Sequence, residues 1–302
     1  MKFCTSRWLS VASVVLISAT FLGANSTMTP TNEPGNSAWT SLVNAYFDTV
    51  YLPFNPTDGT SAGLHQYDGK LENYSRASLD KEAAALRTYE KKVEAFPAAK
   101  LNPSDEGDRE FLLGTIRSQL LTLETIRPWQ KDADFYSSGI TNSAFTIIER
   151  DYAPADVRLA ALIAREKQMP AALQAARSNL VNPPKIFTEI ALEQLPGIIS
   201  FFQHDIPAAF TGVKDPKLLD EFHASNAAVI QALTSYQQWV KTDVLPKSNG
   251  DFRIGAATFS AKLRDDEMVD IPLDRLLTIA YADLHKNQEQ FRQVAHELDP
   301  SK

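Results

Sequence analysis

A histidine, a tyrosine and an aspartate lie close together between two glycines in GLHQYDGKL (residues 63–71). The flanking glycines let the backbone turn sharply, which favours a loop that presents His65, Tyr67 and Asp68 to a cleft. The pattern is equally typical of a structural loop in which Asp68 caps a turn, so both interpretations stand.

The histidines do not form a recognised zinc motif. The chain has five of them: His65, His204, His223, His285 and His296. H-E-x-x-H places two imidazoles on one helix face, but Pro300 stands where His296-Glu297 would need its second histidine. His285 and Glu289 lie one turn apart in a segment with the polar pattern of a solvated helix face. The sequence therefore predicts no catalytic residue and no metal ligand in this chain.

The overall charge argues against a nucleic-acid partner. The 302 residues include 37 Asp and Glu against 30 Lys and Arg, which gives a formal net charge of −7. Nucleic-acid affinity depends on clustered Lys and Arg that displace counterions from phosphates. With 44% hydrophobic and 22% charged residues, the chain has the composition of a globular protein with a sizeable core.

Residues 1–24 have the order of a secretory signal peptide. Lys2 and Arg7 precede an apolar run over residues 8–22, and Gly23-Ala24 offers the small residues that signal peptidase prefers. We expect cleavage near Ala24, with a retained membrane anchor as the alternative. The product is then exported to the periplasm or the extracellular space.

Export and cleavage would leave a chain without a thiol, because the single cysteine, Cys4, lies in the signal peptide. Residues 25–37 are rich in Ser, Thr, Asn and Pro, a composition that predicts a flexible tether. No later run is long and apolar enough to span a bilayer, so we expect no membrane association after cleavage.

Residues 38–302 are predicted to form one all-α domain, a multi-helix array of mainly antiparallel helices. Apolar residues recur at three- and four-residue spacing, while Pro and Gly fall mainly between the helical segments. Ser78 is the predicted N-cap of one helix that ends before Pro97, and Pro196-Gly197 is predicted to bend another. No segment has the alternating pattern of a strand.

Three stretches together resemble a known family. They are GLHQYDGKL (residues 63–71), the long segment from DVRLAALIAREKQMP to NLVNPPKIFTEIALEQ (residues 156–194) and FRIGAATFSAKLRDDE (residues 252–267). In this order they resemble the amino-terminal half of the bacterial family called domain of unknown function 885. The resemblance covers most of the chain, from about Val43 onwards.

The resemblance implies an exported helical protein related to zinc metallopeptidases of the gluzincin type, with a helical cleft that holds a peptide. In that family the zinc-binding motif lies in the carboxy-terminal half, so the implied fold here is half of a larger cleft-containing one, and no metal ligand carries over. The positions that match the cleft wall are candidates for substrate contact or for packing against the other half: His65, Tyr67, Asp68, Arg158, Asn179, Gly255 and Phe259. Gly255 would let another backbone approach closely.

The sequence leaves two candidate functions, one as part of an enzyme and one as a non-enzymatic module. The first is the cleft-wall part of an exported metallopeptidase-like protein that is inactive alone, whether the gene is truncated or split or its partner half is a separate polypeptide. The second is a non-enzymatic helical binding or scaffold module of the cell envelope. A peptide substrate is expected only with the first, and only when the carboxy-terminal half is present.

Overall fold

The structure is a computed structural model, and it describes residues 36–301. The predicted signal peptide and nearly all of the predicted tether lie outside the described residues. Across residues 36–301 the chain forms helices and no strand, which confirms the all-α prediction. The α-helices are α1 (Ser37–Tyr46), α2 (Leu52–Phe54), α3 (Pro56–Ser61), α4 (Arg76–Glu94), α5 (Pro103–Leu121), α6 (Pro128–Lys131), α7 (Asp134–Ile148), α8 (Ala155–Glu166), α9 (Met169–Asn179), α10 (Lys185–Ser200), α11 (Ile206–Ala209), α12 (Pro216–Trp239), α13 (Ala256–Glu267) and α14 (Leu273–Leu298).

The N-cap of α4 is Ser75, so the prediction of Ser78 is wrong by one turn. The Ser75 hydroxyl accepts a hydrogen bond from the Ser78 backbone N–H at 3.3 Å. Both serines could cap a helix, but Arg76 and Ala77 are good helix formers and extend α4 back to the earlier one.

Four helices widen into π-helical segments at their C-terminal ends. These follow α1, α5, α10 and α12 and span Phe47–Tyr51, Thr122–Ile126, Phe201–Asp205 and Val240–Val244. A π-helical turn changes the face on which the following side chains lie. Pro196 lies inside α10, which continues through it to Ser200 before the π-helical segment begins.

Two clusters of buried apolar side chains form the core. The larger one is built mainly from α7 to α10 and α12, and includes Tyr136, Leu162 and Tyr236. The smaller one joins α1, α4 and α5 around Tyr46 and Ile116. Amphipathic helices of this kind are stabilised chiefly by packing their apolar faces together.

The last two helices are less embedded. Neither α13 nor α14 has a buried residue, although α13 packs against α5, where Ser118 donates a hydrogen bond to Asp266. Within residues 36–301, no helix combines the length and the apolar character needed to cross a bilayer.

Gly114 sets the distance between α5 and α13. A Cβ at this position would lie 2.9 Å from the backbone carbonyl oxygen of Asp265. We expect Gly114→Ala to displace α13 and to raise amide hydrogen exchange in α13 while leaving the core of α4 protected. Hydrogen-exchange mass spectrometry measures this directly.

Gly107→Ala is the matched control in the same helix, because a Cβ there meets nothing within 4 Å. It should raise the stability by up to about 1 kcal/mol, since alanine favours a helix more than glycine does. Equal exchange in α13 of both variants would contradict the close packing at Gly114.

Candidate functional site

The His65 loop forms a short 3₁₀ turn that joins a half-exposed histidine to a buried carboxylate. His65 Nδ1 lies 3.1 Å from Asp68 Oδ2, and the His65 ring stacks on Tyr152 with centroids 4.2 Å apart. The His65 side chain is 48% exposed, whereas that of Asp68 is 10% exposed. Because Asp68 occupies Nδ1, Nε2 is the ring nitrogen left for a hydrogen bond with another molecule.

Tyr67 fixes this loop to the preceding helix. Its ring lies so close to Gly59 of α3 that a Cβ there would be 2.8 Å from it. Tyr67 is buried, and the Lys70 ammonium lies 4.7 Å from the centre of its ring. The loop is therefore held by packing as well as by the Asp68 hydrogen bond.

Arg165 of α8 lies under the loop and is fully buried. Its guanidinium donates to the hydroxyl of Thr60 at 2.6 Å, the hydroxyl of Thr146 at 3.0 Å and the carbonyl of Tyr67 at 3.4 Å, as well as to the carbonyl of Ser143. These bonds tie α3, the His65 loop, α7 and α8 together. Burial lowers the pKa of Arg165 from its ordinary value.

Two carboxylates supply the opposite charge around Arg165. Glu72 accepts hydrogen bonds from the backbone N–H and the hydroxyl of Thr57, each at 2.9 Å. The negative charges of Glu72 and Asp68 both act on Arg165. Burial raises the pKa of Glu72, and the positive charge of Arg165 partly opposes that rise. The arrangement is a buried ion cluster beneath a half-exposed histidine.

Three buried polar atoms of this cluster have no hydrogen-bond partner in the described structure: Asp68 Oδ1, Tyr152 Oη and Arg165 Nε. Burial and the neighbouring Asp68 carboxylate raise the pKa of Tyr152, which keeps its hydroxyl protonated at neutral pH. The Tyr152 hydroxyl is nevertheless close enough to the Asp68 carboxylate to interact with it, so these two polar groups compensate each other in part.

Arg158 and Asn179 form their hydrogen bonds outside the loop, although the positive charge of Arg158 acts on Tyr152, which stacks on His65. Arg158 donates to the carbonyls of Ile147 and Ala153, at 3.3 and 3.1 Å, and pairs with Asp151, which holds together the connection between α7 and α8. Asn179 donates to the carbonyl of Tyr74 and to the hydroxyl of Tyr136. Their role as substrate contacts stays a prediction.

Gly255 and Phe259 lie at the start of α13. Gly255 precedes the helix with φ of +80°, and a Cβ built on it would meet nothing within 4 Å in the described structure. Its backbone conformation therefore favours glycine there, and the close approach of another backbone stays a prediction. Phe259 is 43% exposed on the same helix.

The structure thus brings His65, Tyr67 and Asp68 together, and among the described residues no side-chain hydrogen bond joins them to the other four candidates. Sequence reasoning missed Glu72, Tyr152 and Arg165. One sequence pattern could have indicated Arg165, because it follows Arg158 by seven residues with Leu162 between them, so all three share the apolar face of α8.

The described residues offer no metal site. No group of three or more His, Cys, Asp or Glu side chains within residues 36–301 is placed to hold a metal ion. The zinc implied by the family resemblance therefore does not fit these residues, and we assign no chemical step to a metal here.

Comparison with known proteins identifies relatives of unknown function. The chain is similar to the solved structure of "a putative lipoprotein of unknown function" from Shewanella oneidensis, with a TM-score of 0.73 and 24% sequence identity over 88% of this chain and 49% of that chain. This likeness shows a shared fold, and the chain spans about half the length of that protein. No curated protein matches. The profile of the bacterial proteins of unknown function DUF885 matches residues 56–302, and the chain belongs to this family.

Proposed function

We propose that the described helices form the amino-terminal, cleft-wall half of an exported metallopeptidase-like protein that acts on peptides, and that this half is inactive alone. The observation that carries the half-fold proposal is the uncovered apolar face of α14. The peptidase class comes from the family resemblance. Any zinc belongs to polypeptide outside the described residues.

The apolar face of α14 has the spacing of a helix-packing seam. Leu277, Leu284, Phe291 and Leu298 recur every seven residues and are 55%, 46%, 75% and 82% exposed. Apolar side chains repeated at this interval normally pack against another helix, and leaving them in water is unfavourable. The missing neighbour of α14 is therefore best matched by a helix.

The comparison supports a source for that neighbour. The similar structure from Shewanella oneidensis is about twice as long as the matched region, so that chain has further polypeptide beyond the shared fold. We propose that a polypeptide equivalent to this further part covers the α14 face. It is either part of the same chain as α14 or a separate chain. The description of that relative as a lipoprotein also supports a location in the cell envelope.

A non-enzymatic binding or scaffold module is the second candidate. It is favoured by the two core clusters, whose central residues, such as Tyr46 and Tyr236, are fully buried without any further polypeptide. Such a module would fold cooperatively and would keep the α14 face for a partner other than a peptidase half.

The purified full chain tests the proposal. We expect it to bind no stoichiometric zinc, to cleave no peptide and to bind the dye 1-anilinonaphthalene-8-sulfonate at the α14 face. Leu284→Glu combined with Phe291→Glu should lower both dye fluorescence and any self-association measured by light scattering. Val157→Glu is the control, because Val157 is 55% exposed on α8, away from α14.

Three results would overturn parts of the proposal. Zinc binding with peptide cleavage by the chain alone would contradict an inactive half. Weak dye binding that the α14 variant leaves unchanged would favour a self-sufficient module. A discrete dimer that the α14 variant dissociates would identify a second copy of the chain as the partner.

A further inference from the structure

A cavity of about 280 Å³ lies at the seam between the two core clusters. Tyr51 and Phe54 reach it from the smaller cluster, and Trp129 and Phe135 from the larger one. Its volume is close to the lower end of small-molecule sites, and apolar or aromatic walls with few polar groups are typical of such sites.

Two π-helical segments contribute to the cavity. Tyr51 is the last residue of the segment Phe47–Tyr51, and Thr122 and Leu123 begin the segment Thr122–Ile126. π-helical turns inside longer helices often occur at functional sites. Here they direct side chains from two different helices into one space.

Glu72 and Glu82 give the cavity its charge. Both carboxylates line it, and none of the described residues that line it is a Lys, Arg or His. Thr57 and, more distantly, Arg165 compensate Glu72. Glu82 accepts a hydrogen bond from the Asn55 side chain, and its other electrostatic neighbours are the negative charge of Glu72 and the hydroxyls of Tyr46 and Tyr51. A negative carboxylate thus faces an aromatic cavity without a cation beside it.

The pKa values are consistent with an uncompensated carboxylate. Burial and the negative charge of Glu72 raise the pKa of Glu82 to about 7. The nearby cation Arg76 does not relieve this, because its guanidinium stacks on Trp129 at 4.7 Å and pairs with Asp80 at 2.8 Å. A bound positive charge would stabilise the ionised form of Glu82.

We propose that this cavity binds a small protonated amine with an apolar body, whose ammonium group pairs with Glu82 and whose body packs among Tyr51, Phe54 and Phe135. The ring faces add cation–π attraction, which is strongest for cations removed from water. The site lies wholly within the described residues, and the proposal does not depend on the proposed peptidase-like function.

Isothermal titration calorimetry of the full chain with phenethylammonium tests the site. We expect saturable one-to-one binding by the wild-type protein and weakening of at least about tenfold in Glu82→Gln, because the variant keeps the shape and loses the charge. Glu82→Gln removes a buried charge, so it should fold, and thermal unfolding by circular dichroism checks this. Glu90→Gln is the control, since Glu90 lies on the same helix, pairs with Arg117 and does not line the cavity.

Two further ligands test the role of the positive charge and the source of the amine. 3-Phenylpropionate, an anion of similar shape, should not bind. The dipeptide Phe-Gly carries the same ring near an amino terminus, and tighter binding of Phe-Gly than of phenethylammonium would identify peptide amino termini as the source of the amine. The proposal is overturned if phenethylammonium does not saturate, if Glu82→Gln binds it as well as wild type does, or if 3-phenylpropionate binds equally.

Discussion

Arg165→Ala is expected to lower the free energy of unfolding by about 3–5 kcal/mol. The guanidinium is fully buried and bonds to three segments: α3 through Thr60, the His65 loop through Tyr67 and α7 through Thr146. Its removal leaves the buried carboxylate of Glu72 without its main positive neighbour. Urea unfolding followed by circular dichroism measures the loss.

The control for this prediction is Arg150→Ala. Arg150 also donates to a backbone carbonyl, that of Ser61, but its side chain is 56% exposed, so we expect a change within about 0.5 kcal/mol. Adding Glu72→Gln to Arg165→Ala should recover part of the loss, because the unpaired charge is removed. A loss below about 1 kcal/mol for Arg165→Ala, or no recovery in the double variant, would contradict the ion cluster.

The same residue connects the His65 loop to the acidic cavity. Arg165 holds the loop through the Tyr67 carbonyl, and its positive charge acts on Glu72, which lines the cavity. A change in the charge of Glu72 would therefore alter the electrostatic environment of Asp68 and His65 as well. Such coupling acts through direct neighbours and needs no movement of the helices.

The helices could be predicted from the sequence because their apolar spacing is regular and prolines mark their ends. Pro216 is the first residue of α12, which continues into its π-helical segment, and Pro272 immediately precedes α14. The N-cap of α4 was missed because two serines three residues apart compete for it. The π-helical segments could not be predicted, because their residues continue the helical pattern of the sequence.

The candidate site could be predicted only in part. The His65 loop stands out because its residues are neighbours in the chain. Tyr152 and Arg165 are distant from the loop in sequence, and Glu72 follows it directly without forming a recognisable motif. A charged residue on an apolar helix face, such as Arg165, is compatible with either burial or exposure of its head group. The cavity at Glu82 depends on how two cores meet, which no local pattern specifies.

Removal of the Glu166 carboxylate should change how the stability of the protein depends on pH. Glu166 is fully buried and accepts hydrogen bonds from Ser225 and from the side-chain amide of Asn226 at 3.0 Å. No ion pair links it to a cation in the described structure, and burial raises its pKa from 4.5 to about 7. The folded protein therefore binds this proton more tightly than the unfolded chain does.

Because the pKa of Glu166 is higher in the folded protein than in the unfolded chain, stability should fall as the pH rises. Below about pH 4.5 Glu166 is protonated in both states, and its ionisation adds no penalty. As the pH rises from 4.5 towards 7, the unfolded chain ionises first, so the folded state loses stability until both states are ionised. A pKa shift of this size corresponds to a loss of about 3 kcal/mol in the free energy of unfolding once Glu166 is ionised in both states. Glu72 and Glu82 act in the same direction, so the whole protein should lose stability over this range.

Glu166→Gln isolates the contribution of this one group. The amide keeps the shape and an acceptor for Asn226, and it cannot ionise. We expect the stability of the variant relative to wild type to rise by about 2–3 kcal/mol between pH 5 and pH 8, measured by urea unfolding at both values. Glu221→Gln is the control, since Glu221 is exposed and pairs with Lys167. The stability of this variant relative to wild type should not rise in the same way between pH 5 and pH 8. Parallel pH profiles for Glu166→Gln and wild type would show that Glu166 is ionised at little cost, which contradicts its burial among Ser225, Asn226 and apolar neighbours.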